Sequence, residues 1–227
     1  MRLGGLQKTS LIDYPGKVCA IVFTIGCNFH CPYCHNPELV DETAEEISEA
    51  DLFGWLETRR GLLDAVTITG GEPTLHDDLL PFINRIKQMG FLVKLDSNGT
   101  NPKVLLELID AKLIDYVAMD IKAPLSKYTQ TVARPVDIEN IQVSVDLLRK
   151  DRVPYEFRTT VVKALLPPED FPKIGELIKG AKMYYLQKCI PTKLLNPGFR
   201  KKVTYSDEEF EELRQLMENY VDVCEIR

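Results

Sequence analysis

The segment VCAIVFTIGCNFHCPYCHNP, residues 18–37, decides the fold. Its first eight residues, 18–25, are almost all apolar, which is typical of a strand buried on both faces of a parallel sheet. A loop that carries three cysteines follows this strand directly. In β/α barrels the active site lies at the C-terminal ends of the strands, so this loop is the first candidate functional site.

Segments of the same kind recur along the chain and alternate with helical patterns. The further predicted strands are residues 65–69, 91–96, 116–121, 155–162, 183–189 and 221–226. Helices are predicted at residues 77–89, 102–113, 138–150, 169–179 and 207–219. This alternation predicts βαβ units with right-handed crossovers, and a closed eightfold barrel usually needs about 250 residues. We therefore predict an α/β fold, a partial (β/α)6-type TIM-like barrel of mostly parallel strands.

Composition narrows the class of protein. The chain has 227 residues, of which 44% are hydrophobic and 27% charged, and its 28 Lys+Arg against 34 Asp+Glu give a net charge of −6. These values are ordinary for a soluble globular protein and give no overall attraction to nucleic acid or to a membrane surface. The longest nearly apolar run, residues 18–27, is too short to span a membrane.

The chain is predicted to be one domain, 1–227, with a short N-terminal arm at residues 1–17. No internal repeat or low-complexity tract divides it. The N-terminus lacks the basic-then-apolar layout of a signal peptide, so we expect a cytoplasmic protein that binds neither nucleic acid nor membrane.

Three of the six cysteines, Cys27, Cys31 and Cys34, form a C-x3-C-x2-C loop. Soft thiolate ligands favour iron–sulfur clusters, zinc or Cu(I). A [4Fe–4S] cluster normally takes four cysteines, so three would leave one iron open for a ligand. The alternatives are a zinc site completed by His35 and three inert buried thiols. Zinc modules usually bring their ligands as two separated pairs, which favours the three-cysteine cluster.

The other three cysteines, Cys19, Cys189 and Cys224, are isolated in apolar segments. Free cysteine in such a setting is most often a small buried hydrophobe, and we predict that role for all three.

The cysteine loop and its flanks resemble a known family. The C-x3-C-x-aromatic-C loop after the first strand is similar to the signature of the radical S-adenosylmethionine (SAM) superfamily. The run SLIDYPGK at residues 10–17, the residues 23–27 and the run CHNP at residues 34–37 resemble the activating enzymes of anaerobic ribonucleoside-triphosphate reductase, relatives of the pyruvate formate-lyase activating enzyme. The resemblance extends over most of the chain.

This resemblance implies a function. It implies a radical SAM core whose [4Fe–4S] cluster binds SAM at the open iron and cleaves it reductively to a 5′-deoxyadenosyl radical. It further implies that the radical generates a glycyl radical on a partner enzyme, anaerobic ribonucleotide reductase, with flavodoxin or ferredoxin as electron donor. Two alternatives stay open: a radical SAM enzyme acting on a small molecule, as in 7-carboxy-7-deazaguanine synthases, and a non-enzymatic zinc module.

Residues at the next strand ends are candidates for binding SAM. The turn Gly70-Gly71-Glu72-Pro73 can bring backbone close to a ligand, and the resemblance implies that Gly70, Gly71 and Glu72 meet the SAM amino group. Further along, Asn98 is a SAM-binding candidate, and Asp120 interrupts a strongly apolar strand.

The resemblance also implies a monovalent cation. It places such a cation near Asp96, Ser97 and Asp120, and it places Lys122 near the SAM carboxylate.

Three polar residues alternate with apolar neighbours in later strands. Arg158, Thr160 and Gln187 are predicted either to line the barrel near SAM or to fill an interior layer. Tyr33 is predicted either to pack on the adenine or to cover the cluster.

Overall fold

In the computed structural model, which describes residues 1–190, 192–201 and 204–227, eight strands form one sheet. The strands are β1 (Leu3–Ser10), β2 (Cys19–Thr24), β3 (Ala65–Gly70), β4 (Leu92–Ser97), β5 (Tyr116–Asp120), β6 (Tyr155–Val161), β7 (Tyr184–Lys188) and β8 (Cys224–Ile226). The helices are α1 (Pro37–Val40), α2 (Glu49–Glu57), α3 (Leu79–Gln88), α4 (Pro102–Asp110), α5 (Tyr128–Val132), α6 (Ile138–Arg149), α7 (Phe171–Leu177) and α8 (Asp207–Met217).

The sheet is mostly parallel and unclosed. Its strands lie in sequence order from β1 to β8, and every neighbouring pair from β2 to β8 is parallel. Strands β1 and β8 are the two edges. The prediction of an α/β partial barrel is therefore confirmed, and each of the seven predicted strands is present.

Strand β1 was not predicted. It runs antiparallel to β2, with Leu3 opposite Thr24 and Ser10 opposite Cys19. The strand contains two glycines and a polar, exposed second half, so its sequence lacks the apolar pattern that marks the others. The N-terminal arm thus adds an edge strand to the barrel.

The remainder of the arm covers the N-terminal ends of the strands. Tyr14 is buried and packs with Cys19 and Ala65, the first residues of β2 and β3. Its ring centroid lies 5.7 Å from that of Tyr116, the first residue of β5. The candidate polar site residues therefore lie at the opposite, C-terminal end of the sheet.

The core lies between the sheet and the surrounding helices. Central strand residues such as Val22, Ile68, Leu95 and Val117 are fully buried and belong to one hydrophobic cluster. Helix α4 begins after Asn101, whose side chain accepts a hydrogen bond from the Val104 amide. No helix in the described ranges is long and apolar enough to cross a membrane.

The six cysteines form no disulfide. Cys19 and Cys224 are buried, as predicted. Cys189 is only partly buried, so the prediction was wrong for this residue. The reason is that β7 ends at Lys188, one residue before it.

Candidate active site

A cavity of about 410 Å³ lies inside the barrel, beneath the cysteine loop. Its wall contains all fourteen residues proposed from the sequence as ligands: Cys27, Cys31, Tyr33, Cys34, Gly70, Gly71, Glu72, Asp96, Ser97, Asn98, Asp120, Lys122, Arg158 and Gln187. Thr160 lines it too. The structure therefore brings these residues together, whereas the individual ligand roles assigned to them stay predictions.

The three thiols of the cysteine loop face one cavity. Burial raises the pKa of Cys27 to about 12 and that of Cys31 to about 11, and it also raises the pKa of Cys34. Each of the first two pKa values is raised further by the next thiol, which shows that the groups lie near one another. Without a bound group the thiols are therefore held protonated at neutral pH, and a soft metal would have to displace those protons.

The surroundings of the thiols suit a group larger than a single ion. The Tyr33 hydroxyl is buried and has no hydrogen-bond partner among the described residues, so the cavity wall holds an unsatisfied polar group. His35 Nε2 contacts the Ile190 carbonyl at 2.7 Å, which removes that nitrogen from a zinc set. In the described part of the chain, no three His, Cys, Asp or Glu side chains are grouped to hold a metal ion. Three soft thiols with an unsatisfied hydroxyl beside them fit a [4Fe–4S] cluster.

The glycine turn after β3 packs against the backbone that leads into the cysteine loop. A Cβ atom on Gly71 would lie 1.9 Å from the Gly26 carbonyl oxygen, and one on Gly70 would lie 2.4 Å from the Thr24 nitrogen. The Gly71 amide donates to the Thr24 carbonyl at 2.9 Å, and the Glu72 amide donates to the Gly26 carbonyl at 2.8 Å. These glycines therefore allow the chain to approach its own backbone, a reason for their presence that the sequence did not show.

Glu72 joins the ends of β3 and β4 and is only 1% exposed. Its Oε1 accepts from the Thr74 amide (3.1 Å), the Thr74 hydroxyl (2.6 Å) and the Ser97 hydroxyl (2.9 Å). Its Oε2 accepts from the Asn98 amide at 2.6 Å. Burial raises the pKa of Glu72, although these hydrogen bonds oppose the shift. Four protein donors already bond to this carboxylate, and only Oε2 can accept a further hydrogen bond. Contact between Glu72 and the SAM amino group therefore stays a prediction.

Asn28, in the cysteine loop, was missed by the sequence analysis. Its Oδ1 accepts from Asn98 Nδ2 at 2.8 Å, and its Nδ2 donates to the Thr100 hydroxyl at 2.9 Å. The loop is thereby connected to the end of β4. An asparagine between two cysteines carries no local signal for such a contact, since its partners are 70 and 72 residues away.

A charged cluster connects β4, β5 and β6. Arg158 donates from Nε to Asp120 Oδ1 at 2.6 Å and from Nη2 to Asp96 Oδ2 at 2.9 Å. Lys122 Nζ lies 2.8 Å from Asp120 Oδ2, and Lys94 is paired with Asp96. Three cations face two carboxylates, so the cluster carries one surplus positive charge. Such a site suits an anionic group such as the carboxylate of a ligand.

The cations control the protonation of the two aspartates. Burial by itself would raise the pKa of Asp96 and of Asp120, but the adjacent Arg158 and lysines hold the pKa of each carboxyl below its usual range. Burial would lower the pKa of Lys122, and Asp120 reverses that shift and raises it well above the ordinary value. Both carboxylates are therefore ionised, and Lys122 is charged, at neutral pH.

The predicted monovalent cation has no support from this geometry. Each oxygen of Asp96 and of Asp120 already faces a lysine or Arg158. The Ser97 hydroxyl, the third group proposed for the cation, donates to Glu72 instead. The side chains as arranged do not fit a metal cation.

Several cavity residues were not proposed from the sequence. They include Asp13 from the N-terminal arm, and Ile21, Phe23 and Phe29 from β2 and the cysteine loop. The alternation along β2 could have placed Ile21 and Phe23 on one face, because side chains two residues apart share a face. Asp13 had no such signal, because it lies in an irregular segment.

Comparison with known proteins agrees with this site. The model of the radical SAM superfamily matches residues 21–181, more than half of the chain. A protein of Methanocaldococcus jannaschii named "Putative glycyl-radical enzyme activating enzyme" is 37% identical over 99% of this chain and 95% of its own length. The pyruvate formate-lyase-activating enzyme of Listeria monocytogenes is 29% identical over 78% of this chain and 76% of its own.

Solved structures share the fold. A domain of a pyruvate-formate lyase-activating enzyme from Bacteroides vulgatus superposes with a TM-score of 0.57 at 18% identity, covering 72% of this chain and 98% of that one. SuiB of Streptococcus suis bound to S-adenosylmethionine gives a TM-score of 0.66 at 13% identity, covering 89% of this chain and 48% of SuiB. At such identities the likeness shows the fold alone.

The fold, the three-cysteine loop and the family match together define the class of protein. The chain belongs to the radical SAM superfamily and, within it, to the glycyl-radical enzyme activating enzymes. It is accordingly an enzyme, and this membership overturns the alternative of a non-enzymatic zinc module. The family implies a [4Fe–4S] cluster and SAM as cofactors.

Proposed function

We propose that the protein cleaves SAM reductively and generates a glycyl radical on anaerobic ribonucleoside-triphosphate reductase. The observation that carries the proposal is the shared cavity, in which three thiols and a positively charged cluster face the same space. When bound, the [4Fe–4S] cluster would supply the electron for cleavage of the SAM sulfonium bond. The protein's own residues hold and orient the two cofactors.

Each part of the cavity has a separate task in this proposal. Cys27, Cys31 and Cys34 hold the cluster. Lys122 and Arg158, the two cations of the charged cluster that line the cavity, bind the SAM carboxylate. The glycine turn fixes the cysteine loop, and the hydrophobic residues of β2 exclude water from the interior.

The partner is a protein in this proposal because of the open sheet. Strands β1 and β8 are unpaired with each other, so the barrel wall is incomplete between them. A segment of another protein could complete the site there, whereas no described feature of the cavity favours a particular small molecule. This supports a macromolecular substrate, of which the reductase is the one that the sequence resemblance implies.

A reducing compartment suits the protein. All six cysteines are free, and three of them must remain thiolates to hold a cluster. Free thiols persist in the cytoplasm, where we propose that the protein works with a flavodoxin or a ferredoxin as electron donor. We also propose that residues 1–227 act as one domain, since the described strands share one sheet.

The radical assay tests the function. Reduced holoenzyme, SAM and anaerobic ribonucleotide reductase are mixed without oxygen, and electron paramagnetic resonance is expected to show a glycyl radical on the reductase. A parallel reaction with pyruvate formate-lyase tests the identity of the partner. A signal on the lyase alone would reject the reductase, and no signal on either protein would reject activation of both.

Cysteine variants test the ligand assignment. Cys27→Ala, Cys31→Ala and Cys34→Ala should each lose the cluster and SAM cleavage together, as measured by iron and sulfide content and by 5′-deoxyadenosine formation. Cys189→Ala is the matched control, because this partly buried cysteine does not line the cavity, and it should keep both. SAM cleavage that persisted in any of the first three would show that the assignment is wrong.

A further inference from the structure

One stretch of the sequence is free of acidic residues. No Asp or Glu occurs between Glu176 and Asp207, although the chain as a whole has a net charge of −6. The same stretch contains seven basic residues: Lys179, Lys182, Lys188, Lys193, Arg200, Lys201 and Lys202. Charge is therefore distributed unevenly along the chain, and the positive part precedes α8.

Part of this stretch, residues 192–201, lies directly on the cysteine loop; we call it the basic strap. The Leu195 amide donates to the Cys34 carbonyl at 2.8 Å, and the Asn196 amide donates to the Pro32 carbonyl at 2.9 Å. Leu194 is buried and anchors the segment. The strap is thus attached to the loop that carries the three thiols, and it reaches Cys34 through a single hydrogen bond.

The outer face of the basic strap carries positive charge. Lys193 and Arg200 are both exposed. Lys193 Nζ pairs with Glu38 Oε2 at 2.7 Å, yet its side chain remains 60% exposed. Arg200 forms no ion pair with any residue in the described ranges. Glu38 offsets the charge of Lys193, so a partner that approaches the cysteine loop from outside would meet one uncompensated positive charge on the described strap, that of Arg200.

We propose that the basic strap is the docking surface for a small acidic one-electron carrier protein. The inference rests on the proposed function, because it assumes the cluster held by Cys34 and its two companions. The carrier is oxidised by one electron and the cluster is reduced by one, with no atom transferred. Complementary charge raises the rate of encounter and orients the partner. The Leu195–Cys34 hydrogen bond then supplies a short path for the electron from the strap to the cluster.

The experiment measures cluster reduction, and it needs no glycyl radical enzyme. Reconstituted holoenzyme is mixed anaerobically with photoreduced flavodoxin in a stopped-flow instrument, and loss of cluster absorbance is followed at several salt concentrations. The double variant Lys193→Gln/Arg200→Glu should react about tenfold more slowly than wild type at low salt, because steering by complementary charge is of that order. The salt dependence of its rate should be weaker as well.

A matched control separates docking from net charge. Lys103→Glu reverses one charge on α4, where the side chain is 85% exposed, and lowers the net charge by two units against three in the double variant. It should react with flavodoxin at close to the wild-type rate. Photoreduced 5-deazaflavin, a small reductant that needs no protein docking, should reduce the cluster equally fast in all three proteins.

Two results would overturn the proposal. One is a double variant that keeps the wild-type rate with flavodoxin at low salt. The other is a double variant that is slowed equally with both reductants, since the change would then lie in the cluster itself. Failure of the proposed function is distinguishable from both: the flavodoxin rate would still depend on the basic strap, while no glycyl radical would form.

Discussion

Two groups of buried carboxylates lie at the C-terminal ends of β3, β4 and β5 and behave in opposite ways. Glu72, after β3, is surrounded by uncharged donors, and burial raises its pKa. Asp120, the last residue of β5, is bonded to Arg158 and Lys122, and these cations lower its pKa. The direction of a pKa shift therefore follows from the charge of the partners and not from burial alone.

The difference separates two tasks within one cavity. The glycine turn, residues 70–72, joins the cysteine loop to β3 and β4 by backbone and side-chain hydrogen bonds. The charged cluster of Asp96, Asp120 and Arg158 instead controls the electrostatics of the cavity. One region sets geometry and the other sets charge.

The largest effect is expected from Gly71→Ala in the glycine turn. The added Cβ would lie 1.9 Å from a backbone oxygen that cannot swing aside, so the turn and the cysteine loop must separate. We expect a loss of about 3 kcal/mol or more in the free energy of unfolding, measured by urea denaturation of the apoprotein, and a fall in iron content after reconstitution.

Gly54→Ala is the matched control for that change. Gly54 lies inside α2, and a Cβ there would meet no atom within 4 Å. Alanine should stabilise the helix by about 0.5–1 kcal/mol. Equal destabilisation by the two substitutions would show that the close approach at Gly71 does not constrain the fold.

A smaller loss is expected from Asp120→Asn in the charged cluster. The change leaves Arg158 and Lys122 without their shared carboxylate, and unpaired buried charge is strongly unfavourable. Because the Asp120 side chain is 23% exposed, we expect about 2 kcal/mol in urea denaturation of the apoprotein. Asp110→Asn, which breaks an exposed pair with Arg152, should change stability by less than about 0.5 kcal/mol.

Glu72→Gln should have the smallest effect of the three at neutral pH. The amide keeps one acceptor for the surrounding donors and replaces a carboxyl group whose ionised form is disfavoured by burial, so we expect a net loss of about 1 kcal/mol in urea denaturation. A loss larger than that of Asp120→Asn would contradict the view that neutral donors hold Glu72 more weakly than cations hold Asp120.

Lowering the pH should change the stability contributions of Glu72 and Asp120 in opposite directions. The folded-state pKa of Glu72 is raised, so wild type gains stability relative to Glu72→Gln as pH falls through that pKa towards the ordinary value of about 4.3. The folded-state pKa of Asp120 is lowered, so its contribution is present above an ordinary pKa of about 3.9 and lost below it. Urea denaturation of wild type and both variants between neutral and acid pH checks this, and trends of the same sign would refute it.

The sequence predicted the strands well and the contacts poorly. Near-continuous apolar runs mark β2 to β8, and the ends of parallel strands converge, so the candidate residues were found on one cavity. The bridging by Arg158 depends on its register opposite Asp120, and the four bonds of Glu72 depend on how two loops meet. Such contacts between distant segments leave no local pattern. Short helices such as α1 and α5 were missed for a related reason, since four or five residues show no period.

The backbone bonds of the glycine turn have a consequence for how the cofactor enters. The amides of Gly71, Glu72 and Asn98 all donate inside the protein, so they should exchange with deuterium slowly, as core amides do, although they lie in loops. One end of the cysteine loop would then be ordered before any iron arrives. The cluster would be inserted into a loop that is already partly ordered, so the chain would lose little conformational entropy when iron and sulfide bind.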